Sequence, residues 1–304
     1  MNDLKKNTAA NEIQGNVSSV TEENAESLLL RSTDEVEYRI VDKPNEWLEA
    51  SYQLLQSEFD SSVLDPHERY VEWLESNLQG QNPFPFLMMA AYLRDGDNAI
   101  IVGVVSGNIM LVEEYAGKNP DSSAPLFMFA IGHQITSKLL RGRGLPGIGT
   151  NLWKASIQQA KNWIEKLEGF FGYSMLEAET ESLGFWTKMG YRWTQDVSYW
   201  QPPLEFYDNG DYINAEVPEI LMLRPLNGMD EESISKILLK NIIATVYLNW
   251  SLHKYRTLLE REAMKRAEDY VMKDLFGRVC QQMPQTDSIP LVPFENLSSR
   301  KNHL

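Results

Sequence analysis

Apolar and polar residues alternate over residues 36–41 (VEYRIV), with Val36, Tyr38 and Ile40 on one face, which predicts a strand. The period then becomes helical. Trp47, Tyr52, Leu54, Leu55 and Phe59 form one apolar stripe. A second stripe, Tyr70, Trp73, Leu74 and Leu78, opens behind Asp65-Pro66, an N-cap followed by proline at the first helical position. Residues 86–111 read as a buried strand, a tight Asp95-Gly96-Asp97-Asn98 turn and a second strand from Ala99. After a loop comes a third strand, residues 126–135. A glycine-rich stretch then enters an amphipathic helix striped by Leu152, Ile157, Ala160, Trp163, Ile164 and Leu167, with Gly169 as its stop. Residues 170–179 predict a strand and 182–189 a short helix closed by Gly190. The last strands are 191–200 and 219–223.

The element order β-α-α-β-β-β-α-β-α-β-β places the chain in the α/β or α+β class, around one mixed sheet. Residues 230–276 contain neither glycine nor proline and read as helical throughout. Their first half (ILLKNIIATVYLNW, from Ile237) is apolar enough to pack on the sheet domain, on a second protomer, or around an acceptor or acyl pocket. The chain thus divides into a mobile polar leader (1–35), a sheet domain (36–227), a helical extension (228–281) and a tail (282–304).

Charge narrows the partners. The 304 residues carry 28 Lys and Arg against 43 Asp and Glu, a formal net charge of −15. Of these, residues 46–229 hold 24 acidic and 12 basic side chains, so the sheet domain owns the acidity. Such a surface repels phosphate backbones and anionic membranes and favours cationic substrates such as amines. No stretch approaches the ~18 consecutive apolar residues of a membrane span, and the N-terminus has no secretory h-region. The single cysteine, Cys280, leaves no disulfide framework and no cysteine-rich zinc site. A cytoplasmic protein without a bound metal is expected.

The chemistry concentrates in Arg141-Gly142-Arg143-Gly144-Leu145-Pro146-Gly147-Ile148-Gly149-Thr150. Glycines let backbone N–H groups approach an anion, and the following helix N-terminus adds a positive dipole end. A P-loop is rejected, because Ile148 stands where the lysine must be. The dinucleotide fingerprint G-x-G-x-x-G is met literally by Gly142, Gly144 and Gly147. However, the acidic residue it needs ~20 positions on is missing, since the next strand ends with Glu177 and Glu179, farther along.

The third motif, R/Q-x-x-G-x-G/A between a strand and a long helix, is the pyrophosphate loop of the GNAT superfamily of acyl-CoA-dependent N-acyltransferases. The chain resembles that superfamily over about residues 36–227. Phe185-Trp186-Thr187-Lys188-Met189-Gly190-Tyr191 looks like its (F/L)-Y-x-K-(L/M)-G-F segment, and Val102-Gly103-Val104 like its I-V-G strand. The resemblance implies a mixed, mostly antiparallel central sheet flanked by helices, here with a C-terminal helical extension. It implies an acyl-CoA, acetyl or longer, bound by Gln134, Ile135 and Thr136 at a strand end and by Arg141, Gly142, Arg143, Gly144, Gly147, Gly149 and Thr150. One departure is Pro146, which falls on the second required Gly/Ala and has no N–H to donate.

The implied reaction transfers the acyl group to a primary amine by direct attack on the thioester. His133 is the expected base, beside the acyl site, with Glu177 and Glu179 on one strand face as base or amine anchor. The family's acid tyrosine is replaced by Trp186, so Tyr173, Tyr191 or Tyr199 would substitute, unless each is a core tyrosine. The acceptor is an amine-bearing small molecule, peptide or protein. A homodimer through the extension is one further reading. Two alternatives stand: a non-catalytic CoA-binding or partner-binding protein of this fold, and a nucleotide-dependent oxidoreductase.

Overall fold

A computed structural model describes residues 13, 15–60, 63–82, 84–119, 124–141, 145–194, 197–203, 206–213, 216–256 and 258–294. The chain forms two compact units. The first comprises Met1–Asn82, Phe86–Ser106 and His133–Ser156, and the second Pro83–Pro85, Gly107–Gly132 and Ile157–Leu304.

The first unit opens with β1 (Val17–Ser19) and α1 (Glu22–Leu28), inside the segment whose composition suggests only a polar leader. Three residues carry no periodicity; β1 exists because Val17, Ser18 and Ser19 pair in parallel with Ala99, Ile100 and Ile101. The predicted strand at 36–41 is β2 (Glu37–Ile40), antiparallel to β3 (Phe86–Asp95). Gly96 turns the chain with φ of 61° into β4 (Asn98–Leu111), as the Asp-Gly signal requires. The two helical stripes become α2 (Glu46–Glu58) and α3 (His67–Leu78). Asn45 caps α2, its side chain accepting from the Trp47 N–H at 3.2 Å. Pro66 is the N-cap of α3, one position later than Asp65-Pro66 suggests. Each helix lays its stripe on β3: Trp47 meets Tyr92 edge-on, and Tyr70 and Trp73 meet Phe86. Fully burying a side chain such as Leu48 or Leu55 contributes about 1.5–3 kcal/mol.

Both β4 and β5 (Leu126–Thr136) run through the two units, and α4 (Ile148–Lys166) begins in the first. Their pairing is antiparallel: Ser137 donates to the Val102 carbonyl in the first unit and Val112 to the Leu126 carbonyl in the second. Glycines set this seam. A Cβ at Gly103 would lie 3.2 Å from the Ile135 carbonyl oxygen, and one at Gly107 only 2.2 Å from that of Ala130.

In the second unit β5 pairs in parallel with β6 (Phe170–Ala178), and β6 is antiparallel to β9 (Val217–Pro225). Helix α5 (Leu183–Lys188) follows β6, and Gly190, φ 85°, closes it as expected. The strand predicted at 191–200 is instead two short ones, β7 (Arg192–Thr194) and β8 (Tyr199–Gln201), which pair with different stretches of β9. Helix α4 does not run to Gly169. It ends at Lys166, and the left-handed residue is Glu168, φ 54°. Gly169 is required for another reason: a Cβ there would sit 2.3 Å from the Phe127 ring.

Residues 230–276 are not helical throughout. Ser233–Ser235 form β10, antiparallel to β11 (Ser288–Val292), and β11 joins β7 from within the segment read as a tail. Ser235 then caps α6 (Lys236–Thr245) through its side chain, which accepts from Leu238. A π-helical segment (Val246–Ser251), α7 (Arg261–Asp269), a second π-helical segment (Tyr270–Phe276) and α8 (Gly277–Gln282) follow.

These helices bury Leu239, Ile242, Ile243, Tyr247, Val271 and Leu275 against Tyr173, Met175, Tyr199, Leu221 and Leu223. The apolar run from Ile237 therefore packs on the sheet of its own unit. Asn241, fully buried, accepts from Ala116 N–H at 2.7 Å and donates to the Gly117 carbonyl and Asn119 Oδ1, both at 2.8 Å. Among the described residues no helix is long and apolar enough to cross a membrane.

Candidate functional site

The register of β5 with β6 ends at Ile131 and Leu176, yet β5 continues to Thr136. Residues 132–136 thus form a strand end beyond that ladder, and the predicted acyl-binding residues lie on it. Gln134 donates from Nε2 to the Gly149 carbonyl at 2.9 Å, tying the strand end to the first turn of α4. Its Oε1 is buried and has no hydrogen-bond partner among the described residues. A buried acceptor in that state costs about 1–3 kcal/mol unless a donor reaches it. Ile135 presents the carbonyl that crowds Gly103, and the Thr136 carbonyl accepts from Arg141 Nη2 at 2.9 Å. Arg141 also lies 3.6 Å from the Glu58 carboxylate, with its side chain 56% exposed.

Gly142, Arg143 and Gly144 lie outside the described residues. Beyond them Gly147 adopts φ of 85° and hands the chain to α4, with open space where a Cβ would be. The first backbone hydrogen bond of α4 runs from Asn151 N–H to the Gly147 carbonyl. The N–H groups of Ile148, Gly149 and Thr150 precede it, the orphan donors of a helix N-terminus. Pro146 brings no donor, and its carbonyl accepts from Thr33 Oγ1 at 3.1 Å. The α4 N-terminus and the Arg141 guanidinium are donor groups of the kind an anion accepts hydrogen bonds from.

His133 sits on the same strand end, half-buried and edge-on to Phe59 at 5.0 Å. Its Nε2 is 3.3 Å from the Val63 carbonyl, which can only accept, so Nε2 carries the proton. Nδ1 therefore accepts from the Tyr70 hydroxyl at 3.4 Å. Burial pushes its pKa below the ordinary histidine value. Both ring nitrogens are occupied within this unit.

The second unit gathers a different set. Glu177 on β6 accepts from the Tyr199 hydroxyl on one oxygen and from Gln201 Nε2, at 2.7 Å, on the other. Burial pushes this carboxyl up, and the two donors pull it part of the way back. Cross-strand pairing puts Glu177 opposite Leu221 and Tyr199 opposite Glu219, so all of these share one sheet face. Glu219 is pushed up to about 7, first by burial and then by the charges of Glu177 and Glu179. A carboxylate there can take and return a proton near neutrality. Glu179 lies past the end of β6, exposed, its carbonyl accepting from Ser182.

Tyr173 and Tyr191 are core residues in this structure. Tyr173 is buried among Met128, Met175 and Leu223, with its hydroxyl pKa pushed up by burial. Tyr191 is 2.6 Å from Ser174 Oγ and edge-on to Trp186, which is itself buried. Tyr199 alone of the three touches a carboxylate of the cluster. Elsewhere in this unit Glu113 accepts from Asn249 at 3.1 Å and Glu114 from Asn119 N–H at 3.0 Å.

Sequence reasoning missed Glu219 and Gln201. The signal was present in Glu219-Ile220-Leu221-Met222-Leu223, where one acidic residue occupies a face otherwise held by Leu221 and Leu223.

No protein-family model and no curated protein matches the chain. Over about three fifths of its length or more it is similar to solved structures of N-acetyltransferases of the GNAT family. With NAA60 of Arabidopsis thaliana, solved in complex with acetyl-CoA, it shares 16% identity over 64% of this chain and 99% of that one, with a TM-score of 0.43. A GNAT-family acetyltransferase structure from Bacteroides thetaiotaomicron gives 14% identity, 71% and 98% coverage and a TM-score of 0.42. An IAA acetyltransferase from Bacillus cereus gives 14%, 63% and 99%, and 0.35.

Proposed function

We propose that this protein is an acyl-CoA-dependent N-acyltransferase that acylates a primary amine. The observation that carries the reading is the run from the strand end of β5, through Gly147, into the N-terminus of α4. Its donors suit a pyrophosphate: the Ile148, Gly149 and Thr150 amides and the Arg141 guanidinium, with Gly142, Arg143 and Gly144 proposed beside them from the motif. The unpartnered Gln134 Oε1 suits an amide N–H of a pantetheine arm held along Ile135 and Thr136.

The proposed reaction needs a base that takes a proton from the acceptor ammonium; within the second unit Glu219 has the chemistry for that role, and the charges of Glu177 and Glu179 favour a cation there. The amine nitrogen attacks the thioester carbonyl, the C–N bond forms, the C–S bond then breaks, and the second proton of the amine nitrogen ends on the departing thiolate. The products are an amide and free CoA thiol. A thiolate whose conjugate acid titrates near ~8.5 leaves without a dedicated acid, which accommodates Trp186 in place of the tyrosine. His133, with both nitrogens bonded, is proposed to hold β5 to the Val63 carbonyl rather than to move the proton. An acetyl or longer donor, a small-molecule or peptide acceptor and a cytoplasmic setting complete the proposal.

The test combines thermal stabilisation with thiol release. Acetyl-CoA or a medium-chain ester at about a hundred times its dissociation constant should add about 2.7 kcal/mol of stability. Thiol should then appear only when an amine is added. No stabilisation by any CoA compound, together with no amine-dependent thiol, would overturn the reading, and stabilisation without thiol release would turn it into a CoA-binding protein. Arg141→Gln is expected to weaken the donor about tenfold, the worth of one charge-assisted hydrogen bond. Its melting temperature should fall modestly as well, because Glu58, with its side chain 5% exposed, loses the arginine and keeps the Lys138 N–H. Donor titrations of both proteins decide it.

A further inference from the structure

The helical extension packs against the carboxylate cluster and also holds it by a hydrogen bond. Tyr247, in the first π-helical segment, is fully buried and donates its hydroxyl to the Trp200 carbonyl at 2.6 Å. Trp200 lies between Tyr199 and Gln201, and those two neighbours are the residues whose side chains grip Glu177. Strand β8 has three residues and, among the described residues, pairs with β9, so few backbone hydrogen bonds hold it in place. The Tyr247 ring also lies 5.6 Å from that of Tyr199. The Tyr247 hydroxyl thus adds a directional hydrogen bond to the apolar contacts on the strand that presents both partners of Glu177.

We propose that Tyr247 is a positioning residue: by holding the Trp200 carbonyl it keeps β8 where Tyr199 and Gln201 grip Glu177 beside Glu219. The extension thereby sets the state of Glu219 without touching it. Charged and titratable groups bear on this pair from several elements. Glu177 and Glu179 come from β6 and its end, and Tyr199 from β8. Cys280 and Arg278 of α8 act on Tyr247, while Glu177 acts on both tyrosines. The kinetic part of this proposal rests on the acyltransferase reading; the protonation part does not.

The experiment is the melting temperature against pH, from 4.5 to 8.5, for the wild type, Glu219→Gln, Tyr247→Phe and the double variant. Glu219 binds its proton more tightly when folded, so the wild type loses stability relative to Glu219→Gln as pH rises through about 7. In Tyr247→Phe that inflection should move down by about one pH unit, because a loosened β8 lets water reach the carboxyls. Adding Glu219→Gln should erase the inflection. A purely structural role predicts the same loss of melting temperature at every pH with the inflection unmoved, and that result overturns the proposal. Should Tyr247→Phe not fold, Gln201→Met removes one grip on Glu177 directly and should give the same shift. The pH profile of kcat/KM should move in parallel. Absence of any turnover would count against the acyltransferase reading, while the melting data would still decide the role of Tyr247.

Discussion

Replacing Glu219 by glutamine should lower kcat/KM for amine acylation by about a hundredfold or more, within the range of a lost general base. In the wild type kcat/KM should rise with pH through about 7, the value to which burial and the charges of Glu177 and Glu179 push this carboxyl. The variant should lose that limb. Stability should behave in the opposite sense. A carboxyl with folded pKa about 7 and ordinary value 4.5 binds more protons folded than unfolded between those limits. Its contribution is complete below 4.5 and is lost as pH climbs through 7. At pH 8 the glutamine variant should therefore be the more stable protein, by about 1 kcal/mol once solvent around this half-buried group is allowed for. At pH 4.5 the two should melt together. His133, whose lowered pKa makes it cost stability as pH falls below the ordinary histidine value, is common to both proteins and cancels in the difference. Equal activity in the two proteins, or a wild-type profile flat between pH 6 and 8, would remove Glu219 from the mechanism.

A large loss of stability is expected from Gly107→Ala. Its new Cβ would stand 2.2 Å from the Ala130 carbonyl oxygen and 2.9 Å from the Phe129 ring. Both neighbours belong to β5 and neither is the free end of a flexible chain, so the strands themselves must part. About 3 kcal/mol or more is expected, at the upper end of overpacking costs. That is a large fraction of the ~5–15 kcal/mol by which a domain is stable. Gly103→Ala is the control on the same strand pair. Its nearest approach is 3.2 Å, which small shifts relieve, so about 1 kcal/mol should suffice. Urea midpoints for the two variants measure the contrast, and similar midpoints would show that the seam yields more than its spacing implies.

Legibility in the sequence followed length and repetition. The β3–β4 hairpin was readable because two long apolar runs flank an Asp-Gly turn, and α2 because seven of its residues are buried at helical spacing. The three-residue strands β1, β8 and β10 were not, since their existence depends on partners far along the chain: Ala99–Ile101, residues 217–219 and Ser288–Pro290. The proposed donor loop is a motif of glycines and backbone amides, a local pattern of the kind a sequence displays. The carboxylate cluster is distributed over β6, β8 and β9, and only the register shows that Tyr199 and Glu219 stand opposite each other. Trp186, at the position of the family's acid, and Tyr173, a candidate to replace it, are both buried and act as packing residues in this structure.

The second π-helical segment, Tyr270–Phe276, makes the side-chain directions beyond it tolerant of a change in chain length. A π turn accommodates one residue more than the corresponding α turn, and each residue rotates a helix by roughly 100°. Deleting a single amino acid from this segment would let it relax to α geometry while the helix on either side stays in register. Arg278 would then keep its reach to Glu216, at 2.7 Å, and its place 5.7 Å from the Trp200 ring. A deletion in α7, which has no spare residue to give up, would instead swing Arg278 away from both by roughly 100°.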